Sequence, residues 1–333
     1  MKNLLLSIFV CLIITLAANV ARAGKPLDFD GDGKSDFAVS RYRTVGADTL
    51  LDWYAAGSRD NALIYAQFGI GFNGQTGDLL VPADYDGDGK TDVAVWRIVG
   101  TGQPRVFYIL NSSNGTVRIE YFGTDGDDIR ALGDYDGDGK TDLAVYRPTS
   151  APLQNYFIYK GSLNNPNGNL TYLPWGSGFG ATPVRGDFDG DGKRDACIRL
   201  NNQFILRRSS DGGVEYVTWG LANDFAFTGD FDGDGKTDFG ARRTGATNFE
   251  WYTLERDGGG TGGTPILWGR QGSPLDLTLT PADYDGDGRD DIGVYRLTAN
   301  PNTFYIRRSA DGSLLAYQWG TSGDSPLVNY QNY

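Results

Sequence analysis

Six copies of one acidic nonapeptide constrain this chain more than any other feature. DYDGDGKTD occupies residues 84 to 92 and returns unchanged at 134 to 142. Near copies are DFDGDGKSD at 28, DFDGDGKRD at 187, DFDGDGKTD at 230 and DYDGDGRDD at 283. Their first aspartates are spaced by 56, 50, 53, 43 and 53 residues. Self-similarity at this period implies one supersecondary unit per repeat, each burying its apolar face on its neighbours in a propeller or an array.

The second repeat displays the unit. Residues 79–83 form a short apolar run into the nonapeptide, and 93–97, 106–111 and 116–122 follow as three further strands, with a turn at Ser112-Ser113-Asn114-Gly115. Runs of about five residues rich in Val, Ile, Phe and Tyr and bounded by Gly and Asn are strand signals. The 48 glycines point to many turns, and no amphipathic helix is legible. Four strands per unit of about 50 residues make a propeller blade.

The last segment, Asp324 to Tyr330, parallels Asp78 to Asp84 and then stops, whereas the first nonapeptide lacks a strand before it. The chain is therefore expected to be all-β, a single propeller whose C-terminal strand completes the first blade and leaves no free sheet edge. Six blades are expected, with seven as the alternative; a string of separate small domains finds no linkers to support it.

Residues 1–23 have the form of a secretory signal peptide. Lys2 is followed by an apolar run from Leu4 to Leu16 and a small-x-small site at Ala21-Arg22-Ala23. The propeller is expected over 24–333. With the leader removed, Cys197 is the one remaining cysteine, so other staples must hold an exported chain together. The formal net charge of −12 argues against nucleic acid and anionic membranes as partners, and no further apolar run is long enough for membrane insertion. Histidine is absent, which excludes serine–histidine triads and imidazole zinc sites.

In the nonapeptide, alternate carboxylates converge on one side of a tight loop, glycine at position 6 permits a positive φ, and the carbonyl at position 7 can add a ligand. Hard-cation sites are expected at Asp28, Asp30, Asp32, Lys34 and Asp36; at Asp84, Asp86, Asp88, Lys90 and Asp92; and at Asp134, Asp136, Asp138, Lys140 and Asp142. The later copies supply Asp187, Asp189, Asp191, Lys193 and Asp195; Asp230, Asp232, Asp234, Lys236 and Asp238; and Asp283, Asp285, Asp287, Arg289 and Asp291, with Lys or Arg acting through the backbone carbonyl. Calcium suits such oxygen sets, one ion per repeat, six in all. An EF-hand is excluded, because position 12 is Val39, Val95, Val145, Ile198, Ala241 or Val294, inside a predicted strand. The aromatic at position 2 is expected to pack under the loop, and calcium to be mainly structural.

These residues resemble the FG-GAP/VCBS repeats. The metal motif is followed by an apolar strand and a closing doublet: Phe68-Gly69, Phe122-Gly123, Trp175-Gly176, Trp219-Gly220, Trp268-Gly269 and Trp319-Gly320. Pro82-Ala83, Leu132-Gly133, Arg185-Gly186, Thr228-Gly229 and Pro281-Ala282 match the GAP element. The resemblance implies a calcium-loaded propeller similar to the N-terminal domain of integrin α subunits.

The metal loops are expected on one face. The opposite face carries variable connections, at 42–51, 98–105, 148–155, 201–202, 244–248 and 297–303, the usual place for binding. Two per-blade features point there: arginines 41, 97, 147, 243 and 296, with Leu200 as the exception, and aspartates 78, 128, 224 and 324, with Ala181 and Leu277 as exceptions. Repetition favours architecture for both, as inter-blade bonding and turn capping, over a ring at the channel mouth. Trp53, Tyr108, Trp251 and Tyr305 are expected in blade packing, with Trp96, Tyr146 or Tyr295 as candidates for stacking on a sugar. Cys197 is expected as a small buried filler. Arg185-Gly186-Asp187 is not taken as a recognition tripeptide, since Asp187 belongs to a metal loop.

The function expected is a secreted binding or adhesion module, monomeric, for a glycan or protein surface. The alternatives are a rigid extracellular scaffold and an extracellular polymer hydrolase. Four glutamates and no acidic dyad outside the loops weigh against an enzyme.

Overall fold

The computed structural model describes residues 25–71, 76–150, 153–272, 276–297 and 300–327. Residues 1–23, expected as a leader, lie outside the described residues. The chain folds into six antiparallel sheets arranged as the blades of one propeller. The second blade is typical. Gly77–Leu80 is the inner strand, followed outward by Val93–Ile98, Val106–Leu110 and Val117–Tyr121. Blades four, five and six repeat this order over 182–218, 225–270 and 276–318.

The ring closes as expected. Ser325–Pro326 pairs with Phe37–Val45, so the end of the chain supplies the inner strand of the first blade. The third blade departs from the pattern. Its sheet has three strands, Leu143–Arg147, Gln154–Lys160 and Thr171–Ser177, and the inner strand is reduced to a bridge between Asp128 and Tyr146. A 3-10 turn, Ile129–Ala131, takes the remaining space, with Asp128 accepting the Arg130 N–H as its cap. Residues 42–51, expected as a loop, instead continue a hairpin to the pair Val45 and Asp48 around Gly46, whose φ is 63°.

The apolar core is divided among the blade interfaces. One cluster joins Trp96, Phe107 and Ile109 of the second blade to Leu143, Val145 and Ile158 of the third. Another closes the ring, packing Phe37 and Val39 against Tyr284, Tyr295, Phe304 and Ile306. A strand sandwiched between two neighbouring blades is covered on both sides, which is why 93–96 is buried without alternation. Cys197 is fully buried against Phe188 and Phe204, as a filler should be.

Trp indoles add directional ties between blades. Trp175, Trp219, Trp268 and Trp319 each donate from Nε1 to a carbonyl on the third strand of the next blade, at Ile205, Tyr252, Tyr305 and Tyr54, over 3.1–3.5 Å.

Candidate metal centre and the two faces

Each nonapeptide is a loop between the inner strand and the second strand, wound around its own carboxylates. In the second blade the position-1 carboxylate of Asp84 accepts the N–H groups of Gly87 and Gly89 at 2.6 and 2.9 Å. Asp92, at position 9, accepts from Tyr85 N at 2.8 Å and from Ser112 N at 2.6 Å. Glycine is required at positions 4 and 6, where φ is 82° and 84°. The position-2 aromatics Phe29, Tyr85, Tyr135, Phe188, Phe231 and Tyr284 are all buried beneath the loops.

The carboxylates converge as the motif requires. In each of the first five loops, three aspartates bring one oxygen apiece within 4.8 Å of one another, for example Asp84, Asp86 and Asp92. Oδ1 of Asp136, at position 3, is buried without a hydrogen-bond donor. A buried acceptor facing other acceptors fits a cation and not a neutral partner. Burial pushes the position-9 carboxyls well above the usual range, against the lowering effect of their N–H donors: Asp36 and Asp92 to about 6, Asp142, Asp195, Asp238 and Asp291 to about 7. These acidic clusters can hold metal ions, and the donor set is all oxygen, the chemistry of a hard cation.

A second loop completes each cluster. The hairpin joining the outer two strands folds over the nonapeptide and donates to it. Ser58 Oγ reaches Asp32 at 2.8 Å, Ser112 Oγ reaches Asp88 at 3.0 Å, Ser162 Oγ reaches Asp138 at 2.6 Å and Ser209 Oγ reaches Asp191 at 2.8 Å. In the fifth blade Arg256 stands at this place and donates its backbone N–H to Asp238, while its side chain turns away to Glu215. Of these serines the sequence reading singled out only Ser112, as a turn residue. Their signal was present, as a serine two residues before Asp or Asn in five hairpins: 58, 112, 162, 209 and 309.

The six loops are joined to one another. The backbone N–H at position 8 of each loop donates to the position-1 carbonyl of the loop before it. Thr91 donates to Asp28, Thr141 to Asp84, Arg194 to Asp134, Thr237 to Asp187, Asp290 to Asp230 and Ser35 to Asp283, all at 2.5–2.8 Å. The circuit is closed. The position-7 side chain lies across the preceding loop as well: a Cβ added to Gly87 would meet the Lys140 stem at 2.9 Å, and one added to Gly286 would meet Lys34 at 2.6 Å. Position 7 is thus long and cationic, and position 4 is glycine, for a reason lying between blades.

Residues 84–145 and 230–294 match the FG-GAP-like repeat family. With six blades in a closed ring, that match decides the matter. The chain is an FG-GAP repeat β-propeller. No curated protein matches it in sequence. In structure it is similar to TolB from Acinetobacter baumannii, with TM-score 0.51 and 14% identity over 89% of this chain and 66% of that one, slightly under two thirds of its length. A provisionally assigned 6-phosphogluconolactonase from Bacteroides uniformis gives TM-score 0.42 at 14% identity, over 88% of this chain and 97% of that one. At such identities the likeness concerns the fold alone.

The recurring arginines and aspartates of the FG-GAP propeller meet in bidentate pairs inside the blades. Arg97 donates to both oxygens of Asp78 at 2.7 and 2.9 Å, and Asp78 also accepts the Ile70 N–H from the outer strand of the preceding blade. Arg41 with Asp324 and Arg243 with Asp224 repeat this arrangement. They are capped corners between blades, as architecture predicts. Two of the aspartates differ from those singled out in the sequence. Arg147 pairs with Asp127, not Asp128, because Asp128 caps the 3-10 turn and binds Arg130. Arg296 pairs with Asp276, so the sixth blade is no exception. The fourth blade alone lacks both partners, having Ala181 and Leu200.

Trp53 and Trp251 are buried in blade packing, while Tyr108 and Tyr305 lie under the guanidinium groups of Arg97 and Arg296 at 4.2 and 4.3 Å. The sugar-stacking candidates are corrected. Trp96, Tyr146 and Tyr295 are 3%, 1% and 0% exposed, because they sit on second strands enclosed by neighbouring blades. Apolar groups that do face outward on the non-metal face include Tyr42, Val45, Leu153 and Leu297 in other blades, and the group Phe179, Leu200, Leu221 and Phe225 around the fourth blade.

Proposed function

We propose that this chain is an exported, calcium-stabilised FG-GAP propeller that acts as a non-catalytic, monomeric binding module for a glycan or a protein surface. One Ca²⁺ per nonapeptide, six in all, would be held by the position-1, -3, -5 and -9 carboxylates with the position-7 carbonyl, replacing the crosslinks that the cysteine content denies. No helix among the described residues is long and apolar enough to cross a membrane.

The observation that carries the binding role is the break in the repeat at the fourth blade. Five blades seal their non-metal corner with an arginine–aspartate pair, and the fourth presents apolar side chains there. Phe179 is 69% exposed and Phe225 61%. Arg199 ties the adjoining loop down by donating to the Leu221 carbonyl at 2.9 Å, so the patch is presented on fixed backbone. Exposed aromatics on rigid loops form stacking platforms or contact anchors.

The test is a glycan array, run beside pull-down from native surfaces, with the intact protein and with Phe179→Ala/Phe225→Ala. Binding lost in the double variant supports the role, and chelator sensitivity would show that the calcium frame is needed. Ligand capture indifferent to both substitutions would overturn it. A scaffold role without small ligand draws on Val117, Ile119 and Tyr121, an apolar row on the outer strand of the second blade.

A further inference from the structure

Four residues after the last metal aspartate, the second strands of the six blades carry Ser40, Trp96, Tyr146, Arg199, Arg242 and Tyr295. In blades two and six the aromatic here donates to a carbonyl at the end of the outer strand, Trp96 to Phe122 at 2.9 Å and Tyr295 to Trp319 at 3.2 Å. In blades one and five a tryptophan of the third strand makes that bond instead, Trp53 to Phe68 at 2.7 Å and Trp251 to Trp268 at 2.9 Å. The position is then relieved of its architectural duty, and a serine suffices in blade one. Blade five has Arg242 there.

Arg242 is a cation without a carboxylate. Its half-buried guanidinium makes no hydrogen bond and no ion pair among the described residues. Its neighbours are rings: Cζ stands 4.4 Å from the ring centre of Phe225, 4.7 Å from Phe249 and 6.0 Å from Trp251. Aromatic faces attract a cation but do not accept its five N–H donors as a carboxylate does. Burial lowers this guanidinium to about 10 with no acidic neighbour to raise it, so it is charged at neutral pH. The other arginines of this corner are engaged. Arg243 and Arg296 hold Asp224 and Asp276, and Arg199 donates to the carbonyls of Leu221 and Asp224.

A cavity of about 10 Å³ lies against Arg242 between the inner strands of blades five and six, lined also by Phe227, Thr278 and Thr280. That is room for one group the size of a water. A carboxylate enters such a space by its tip, and the body that carries it stays outside, over the exposed ring of Phe225.

We propose that Arg242 is the anion anchor of the fourth-blade patch, receiving a carboxylate of a protein partner whose adjoining apolar side chain lies on Phe225. This rests on the binding role given above and names the partner's chemistry. Phe179, Leu200 and Leu221 extend the same patch, and one cation beside an apolar surface suits one carboxylate on an apolar body. A polyuronate would instead bring many negative charges to a chain whose net charge is −12.

The test is calorimetric titration of the full chain, in saturating calcium, with four probes: N-acetyl-Leu-Phe, its C-terminal amide, N-acetyl-Phe-Glu amide and D-glucuronate. At least one of the two carboxylate peptides should bind saturably, with the uncharged amide and glucuronate at least tenfold weaker. The tighter of the two acids tells a chain end from an acidic side chain. Arg242→Met should bring the acids down to the level of the amide while the melting temperature holds, and Arg242→Lys should keep part of the preference. Phe225→Ala should weaken acid and amide alike. No saturable binding of either acid, equal binding of acid and amide, or glucuronate as tight as the peptides would overturn the proposal. So would a melting temperature several degrees lower in Arg242→Met, which would make the arginine a packing element. Binding that is lost in Phe225→Ala yet indifferent to Arg242→Met would overturn the anchor and leave the patch standing.

Discussion

Removing calcium is the perturbation on which the loop geometry speaks most directly. A ligand that binds only the folded state adds RT ln(1 + [L]/Kd), about 2.7 kcal/mol per site at a hundredfold excess. Six such sites sum to roughly 16 kcal/mol, as large as the whole net stability of an ordinary domain at ~5–15 kcal/mol. With an unfolding entropy of about 2.1 cal/mol/K per residue, ~300 ordered residues give ~0.6 kcal/mol/K, so one site is worth about 4 °C and the full set about 25 °C. The closed circuit from position 8 to position 1 adds a further expectation, because each loop's backbone is fixed by its neighbour. Differential scanning calorimetry in calcium and in chelator should show one transition moving by tens of degrees. Asp142→Asn, which disables one loop, should cost more than its ~4 °C share and should raise the calcium midpoint of the remaining five. A melting temperature indifferent to chelator would refute the metal assignment. A loss for Asp142→Asn confined to one site's share, with the other midpoints unmoved, would refute the coupling.

Three more outcomes follow from other parts of the ring. Asp78→Ala strands the Arg97 guanidinium and the Ile70 N–H and should cost about 3–5 kcal/mol by denaturant titration, whereas Asp78→Ala/Arg97→Leu, which copies the fourth blade, should cost less; equal losses would sink the pairing account. Burial pushes the Cys197 thiol far up, so it should resist thiol reagents in the native protein and react at once after unfolding. In metal-free protein burial holds the position-9 carboxyls at about 6 to 7 when folded, against the ordinary 3.8 of a free aspartate. Folding thus favours their protonated form, so stability should be highest below about pH 4 and fall as pH rises to about 7. A metal-free melting temperature that climbs over that interval would contradict the burial of these groups.

Blade number and the buried position-2 aromatics were legible because they are written once per repeat, and ring closure because the terminal segment copies the strand that the first repeat lacks. The second strands were misjudged where outward-facing aromatics were sought. Alternation along a strand marks one wet face, but Trp96, Tyr146 and Tyr295 stand between two blades and have none. The aspartates that serve Arg147 and Arg296 lie one residue before the positions singled out, since a 3-10 turn in the third blade and one extra residue between Asp276 and the metal loop in the sixth shift the count without changing composition. The hairpin serines escaped notice because connections of different length lie between them and the aspartates they serve. Distance along the chain hides a contact that recurs faithfully in space.

The repeat also explains how function can be located in a molecule built from near-identical parts. Conditions common to every blade, such as glycine at position 4 beneath the next loop's Lys stem, are imposed by the ring itself and are poor guides to ligands. The informative residues are those that break the rule without breaking the fold. In the fourth blade Leu200 and Ala181 abandon the corner ion pair together, so neither leaves a buried charge behind, and stability is spared. On the other face, Arg194 departs from the Ser/Thr habit yet still donates the position-8 N–H to Asp134, preserving the circuit while its buried guanidinium donates to the carbonyls of Leu132, Arg130 and Val184. Both departures are compensated locally, and the one at Leu200 alters what the surface offers. A blade under architectural selection alone has no reason to acquire two compensated exceptions at its opposite ends, and that coincidence is what directs attention to the fourth blade.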